Sequence, residues 1–220
     1  MQTDELLEAV RKNNTERVLQ LLDKQPSLSE ARDPTGVSVI FLALYRGNKR
    51  AATAIAERNP NLDIFEAAAI GNTTHLRKLV DRDSSLVKSH SPDGFTALAL
   101  AAYLGQKDSA EFLVEHGADL NAVAKNDTGF TALTGAVTQN HNQIAKLLVE
   151  HGADVNHRYE GGFTPLMHAA YAGNVELVTF LIDKGADPNA RNSEGKTVLM
   201  FSQEKGNQRI TDLLKSHGAV

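Results

Sequence analysis

Aliphatic residues return along the chain in fixed registers instead of gathering in one apolar run. Counted from the first glycine of Gly94-Phe95-Thr96-Ala97-Leu98, the position four residues on holds Leu6, Ile40, Ile64, Leu98, Leu133, Leu166 and Leu199 in seven successive stretches. Seven residues on stand Ala9, Ala43, Ala67, Ala101, Ala136, Ala169 and Ser202, and nineteen on stand Leu21, Ile55, Leu79, Leu113, Leu148, Leu181 and Leu214. Gly47, Gly71, Gly105, Gly173 and Gly206 share the eleventh position, where a left-handed residue can end one short helix before the next begins. Thr164 followed by Pro165 suits an N-cap and the one helical position where proline's missing donor costs nothing. Each stretch therefore predicts helix, turn, helix, loop. The alanine column has a packing reason, because neighbouring helices approach closely only where the facing side chain is small.

The repeat is explicit in the second half. Gly94-Phe95-Thr96-Ala97-Leu98 returns as Gly129-Phe130-Thr131-Ala132-Leu133, Gly162-Phe163-Thr164-Pro165-Leu166 and Gly195-Lys196-Thr197-Val198-Leu199, at steps of 35, 33 and 33 residues. Gly117-Ala118-Asp119, Gly152-Ala153-Asp154 and Gly185-Ala186-Asp187 keep the same steps. On these residues the chain resembles the ankyrin-repeat family, most closely from Ser91 onward. The resemblance implies an all-α solenoid of about seven helix-turn-helix units with short β-hairpin loops. The expected organisation is one repeat domain over 1–220, with units near 1–32, 33–59, 60–90, 91–125, 126–158, 159–191 and 192–220. No unit buries both faces alone, so stability comes from neighbour interfaces and the end units need polar outer sides. Lys215 meets that need, standing where Leu22, Val80, Val114, Val149 and Ile182 stand in earlier units. Two departures are visible. The 24 residues from Gly36 to Pro60 are too few for a full unit, so one finger should be missing near Glu57–Leu62. The family's frequent Thr-Pro-Leu-His is also absent: Ala99, Thr134, Met167 and Met200 hold the His position, and His168 sits one residue later.

Composition narrows the function. With 23 Lys and Arg against 27 Asp and Glu the formal charge is -4, too balanced for a surface that binds nucleic acid throughout. There is no cysteine, which excludes thiolate catalysis, Cys-ligated zinc and disulfides and suits a reducing compartment. The acidic start Met1-Gln2-Thr3-Asp4-Glu5 lacks the basic head of a secretory signal, and no stretch approaches a membrane span. The expectation is a cytoplasmic protein, monomeric when free, binding neither membrane nor nucleic acid.

Catalytic patterns are weak. Gly195-Lys196-Thr197 ends like a phosphate loop, but Ala190 stands where that loop needs glycine, and the tripeptide keeps register with three Gly-x-Thr copies. His116, His151 and His217 each precede the glycine that ends a second helix, about one repeat apart, too far to share a metal. His141 and His168 are the histidines whose surroundings matter most. No Gly-x-Ser-x-Gly elbow or Gly-x-Gly cradle occurs, so neither enzyme, cofactor nor metal is expected.

The resemblance implies binding on the concave face and the hairpin tips. One residue after the first glycine stand Val37, Phe95, Phe130, Phe163 and Lys196; nine after it stand Tyr45, Tyr103, Thr138, Tyr171 and Glu204. Six of the chain's twelve aromatic residues fall on these two rows. Tyr45, Phe95, Tyr103, Phe130, Phe163 and Tyr171, with Arg46 and Leu104 beside two of the tyrosines and Asp93, Asp127 and Glu160 at the fingertips, form the candidate partner-binding set. The phenylalanines have a second reading, packing on one another to stiffen adjacent fingers. Fingertip acids, including Glu194, and the basic Arg11, Lys12, Arg46, Lys49 and Arg50 of the first units would steer a partner of opposite polarity into one register. The function expected is a non-enzymatic protein-binding module that adapts, scaffolds or inhibits. The alternatives are a hydrolase or metal-dependent enzyme with an unrecognised site, or a regulatory subunit holding a small ligand or peptide.

Overall fold

A computed structural model describes residues 2–220; Met1, the first residue of the expected first unit, lies outside them. Fourteen α-helices among the described residues form seven antiparallel pairs. These are α1 (Gln2–Arg11) with α2 (Thr15–Lys24), α3 (Val39–Tyr45) with α4 (Lys49–Arg58), α5 (Ile64–Ile70) with α6 (Thr73–Arg82), and α7 (Ala97–Leu104) with α8 (Lys107–Glu115). They continue as α9 (Ala132–Thr138) with α10 (Asn142–Glu150), α11 (Pro165–Tyr171) with α12 (Val175–Asp183), and α13 (Val198–Glu204) with α14 (Gln208–Ser216). Odd-numbered helices stack on one another in chain order, giving the all-α solenoid that the periodicity predicts.

The periodic columns explain the stack. Every member of the alanine column is buried, including Ala43, Ala67, Ala101, Ala136, Ala169 and Ser202, so the first helices abut through their smallest side chains. Ser38, Asp63, Thr96, Thr131, Thr164 and Thr197 cap six of the seven first helices by accepting the N–H three residues on. The turn to the second helix needs a left-handed residue in every pair. Gly47, Gly71, Gly105, Gly173 and Gly206 supply it, and Asn13 (φ 56°) and Asn140 (φ 57°) replace glycine in the first and fifth.

Isolated bridges Arg32↔Ser38, His90↔Thr96, Tyr159↔Phe163 and Arg191↔Thr197 close four fingers, and a bond from Ala124 N–H to Phe130 O (2.8 Å) closes the longer one between them. From the second of these onward the fingers are zipped side by side: Lys125, Glu160 and Ser193 N–H donate to Gly94, Thr128 and Gly161 oxygens. The finger expected to be lost is absent. Five residues, Asn59 to Asp63, join α4 to α5, and Asp63 caps α5 in a reciprocal box with Glu66. The buried side chains form two clusters, one built from Leu6 to Leu62 and a larger one running from Ile64 to Ala219 that also takes in Phe41 of α3.

Candidate functional site

The finger and the first helix place the site. Because each capping threonine starts its helix directly after the finger, the side chain before it and the one at the helix end, two turns on, face the same side. The last unit shows the pairing most clearly: Lys196 and Glu204 occupy the two rows there, and their Nζ and Oε1 lie 3.0 Å apart. That ion pair closes an otherwise aromatic strip with a polar end.

The strip is divided into two clefts that share Phe130. The first, about 160 Å³, lies between Tyr45, Phe95, Tyr103 and Phe130, with Leu100 and Gly135 as its floor. Tyr45 is 45% exposed, stacks on Phe41 at 6.0 Å, and donates its hydroxyl to Asp93 Oδ2 at 2.5 Å, spanning the place of the missing finger. Burial of the hydroxyl end, then the Asp93 carboxylate, push this phenol above its ordinary value. Gly135 is the only glycine among the described residues without a positive φ, and it sits inside α9 at a helix cost of about 1 kcal/mol relative to alanine. A Cβ there would meet Tyr103 Cβ at 3.3 Å, so its bareness lets α9 approach α7 and keeps the cleft open.

The second cleft, about 560 Å³, runs past Phe130, Tyr159, Phe163, His168, Tyr171 and Phe201, with Glu160 at its rim. Its rings form a ladder: Phe130 to Tyr159 edge-on at 5.2 Å, Tyr159 to Phe163 at 6.3 Å, Phe163 to Phe201 at 5.5 Å, and Phe201 to Tyr171 edge-on at 6.2 Å. The phenylalanine row is therefore not self-stacked; Tyr159 stands between two of its members. The Tyr159 hydroxyl lies 3.2 Å from His168 Nδ1 and can donate to it. Burial lowers the imidazole's affinity for protons and raises the phenol's pKa, so both are neutral near pH 7. Tyr171 is 48% exposed, and Lys205 Nζ lies 3.8 Å from its ring centroid.

The remaining candidates disperse. Arg46 is exposed at the end of α3 and Asp127 at a fingertip, each lining neither cleft, while Leu104 is half-buried against the main core. Thr197 of the Gly-Lys-Thr string is an N-cap, accepting from Met200 N–H. His116, His151 and His217 turn Nδ1 onto the carbonyls of Phe112, Leu147 and Leu213 at 2.7, 2.8 and 2.9 Å, steadying helix ends. His141, held neutral chiefly by burial, caps the end of α7 by donating to Tyr103 O at 3.1 Å. Among the described residues no three His, Cys, Asp or Glu side chains converge as a metal site, and no helix is long and apolar enough to cross a membrane.

Sequence reasoning missed Tyr159, Phe201 and Gly135. A signal for Tyr159 existed: the matching finger positions hold Asp33, Ser91, Asn126 and Asn192, whose side-chain oxygens accept finger N–H groups. Tyr159 cannot do this. Its finger closes instead by a 3-10 turn (Glu160–Gly162) in which Gly161 (φ 68°) and Gly162 (φ 72°) take the left-handed conformation, freeing the ring to enter the cleft.

The fold is a stack of helical hairpins with a ridge of aromatic side chains along its fingers. Family models described as ankyrin repeats match residues 6–123 and 64–159 (three copies) and 148–200 (many copies), and the chain belongs to the ankyrin-repeat family. It is similar to ankyrin repeat and SAM domain-containing protein 6 of Mus musculus and of Rattus norvegicus, 35% identical over 97 residues, 40% of this chain and 11% of each relative. Dauer abnormal formation protein 25 of Caenorhabditis elegans is 31% identical over 121 residues, 50% of this chain and 31% of that protein. The chain thus matches well under two thirds of these relatives' length. Ankyrin repeats generally mediate protein–protein interaction, and the family is typically non-enzymatic.

Proposed function

We propose that the protein is a non-enzymatic recognition module, an adaptor, scaffold or inhibitor, that holds another protein along the concave face formed by its fingers and first helices. The observation that carries this reading is the aromatic strip from Tyr45 to Tyr171. All four tyrosines of the chain line its two clefts, and the two at its flanks, Tyr45 and Tyr171, remain about half exposed. Tyrosines bury large area at small entropic cost when a partner covers them, and rings already packed in a ladder lose little freedom on association. Candidate contacts are Tyr45, Phe95, Tyr103 and Phe130 in the first cleft, and Phe163, Tyr171 and Glu160 in the second. Asp93 holds Tyr45 in place, and Arg46, Leu104 and Asp127 contribute at the margins.

The test is affinity capture with the wild type and with Tyr103→Ala plus Tyr171→Ala, after circular dichroism confirms that the double variant is folded. Loss of the captured proteins supports the assignment. A folded double variant that retains every one of them contradicts it.

A further inference from the structure

The run of paired rings along this face has one gap, and the first cleft lies in it. Tyr45 stacks on Phe41 on one side of that cleft, and Phe130 meets Tyr159 edge-on at the other. Among the described residues no two of the four rings that wall it, Tyr45, Phe95, Tyr103 and Phe130, pair with one another. Phe95, Tyr103 and Phe130 are only half-buried. The near wall is nevertheless fixed, because Tyr45 is tied to Asp93 Oδ2 and Asp93 Oδ1 accepts the Ser91 hydroxyl at 2.5 Å. The space enclosed is about 160 Å³. An apolar cavity of roughly 150 Å³ takes one benzene ring. Thr131, the one buried polar side chain of the lining, already accepts Thr134 N–H at its Oγ (3.3 Å), so the interior asks for an apolar group.

We propose that the first cleft takes a single phenylalanine side chain of a bound protein, whose ring enters between Tyr45, Phe95, Tyr103 and Phe130 and closes the gap. The proposal rests on the reading that a partner covers this face. Rings pair edge-on or offset with centroids about 4.5–7 Å apart, and one ring placed among four unpaired ones gains several such contacts at once. Leucine would fill the space without them, and the indole of tryptophan exceeds it. A second copy of this chain cannot supply the ring, because all eight phenylalanines are buried or half-buried in their own repeats.

The test titrates the full chain with the peptide Gly-Gly-Phe-Gly-Gly and its Leu and Trp counterparts, followed by the ring signals of labelled tyrosine. The Phe peptide should bind saturably in the millimolar range, as so few buried atoms allow, and shift Tyr45 and Tyr103 while leaving Tyr171 of the second cleft in place. It should bind about five-fold more tightly than the Leu peptide, with the Trp peptide weaker still. Gly135→Ala, shown to be folded by circular dichroism, adds a methyl to the floor and should weaken the Phe peptide about ten-fold. Equal binding of the Phe and Leu peptides by the wild type overturns the proposal, and so does Phe binding that ignores Gly135→Ala. Saturable binding of toluene here without binding of the Phe peptide overturns it too, since the mouth would not then admit a side chain attached to its backbone. In each of these cases the recognition face stands if Tyr103→Ala plus Tyr171→Ala still loses the captured proteins. A folded double variant that retains them all contradicts that face, and with it the protein source of the ring, even where the Phe peptide binds.

Discussion

The first three helix pairs and the last four obey the same repeat but are held together differently. From Ser91 onward each loop after a second helix carries an asparagine that bridges to the next unit. Asn121, Asn156 and Asn189 donate to Gly152, Gly185 and Gly218 oxygens at 3.4, 3.1 and 2.9 Å and accept from Asp154, Asp187 and Val220 N–H at 2.8, 2.8 and 2.9 Å. The earlier loops lack the Gly-Ala-Asp signal and close with 3-10 turns, Pro26–Glu30 and Ser84–Lys88, that bury Leu28 and Val87 instead. Where the finger is lost, between the N-terminal block of two pairs and the C-terminal block of five, α3 meets α5 more sparsely than any other successive pair of first helices. Glu66, the one buried carboxylate among the described residues, sits at that junction with Arg32 Nη2 3.5 Å away. Regular repetition gives a zipped C-terminal half; a lost finger gives a polar seam beside a smaller N-terminal cluster.

The largest test of this contrast is a pair of core truncations. Leu22→Ala and Leu148→Ala each empty a fully buried site and should cost about 2–5 kcal/mol. In urea unfolding followed by hydrogen exchange, the first should lower only the transition of the N-terminal block and the second only that of the C-terminal block. Equal loss in both blocks from either variant would make the core one cooperative unit. Asn156→Ala removes two inter-unit hydrogen bonds, expected to cost about 1–2 kcal/mol, with faster exchange at Asp187 N–H.

Glu66 sharpens the seam. Burial first, and the neighbouring Asp63 second, raise its pKa above the ordinary 4.5. The folded state therefore holds this proton to higher pH than the unfolded chain does, so its contribution is full below about 4.5 and lost as pH rises through the folded value. Glu66→Gln should flatten that decline in both urea midpoints, because Glu66 caps α5 of the larger cluster and reaches Arg32 of the smaller one. The smallest effect belongs to Gly135→Ala, where a helix gain of about 1 kcal/mol opposes the close approach to Tyr103. The net shift in melting should stay below about 1 kcal/mol and confine itself to the C-terminal transition.

Much of this was legible in the residues alone. The alanine and leucine columns, the left-handed turn position and the missing finger are local or periodic, and each has one steric reason that a sequence displays. The two rows of candidate aromatics were likewise legible by register. Tyr159 and Phe201 were not, because they matter through departures from their columns: Tyr159 replaces a polar turn residue, and Phe201 fills the place held by Leu42, Leu100, Gly135 and His168 in other first helices. Gly135 hid among fifteen turn glycines. The ring ladder depends on side chains from three units meeting, which no single column records.

The proposed recognition face is tested most directly by the tyrosines, since the chain has no tryptophan and all four line the clefts. With ring-labelled tyrosine and a protein captured by the wild type, NMR titration should move the Tyr103, Tyr159 and Tyr171 ring signals in proportion to binding. Saturable binding that leaves all four rings unmoved while perturbing amides of α8, α10 or α12 would place recognition on the opposite side and contradict the account.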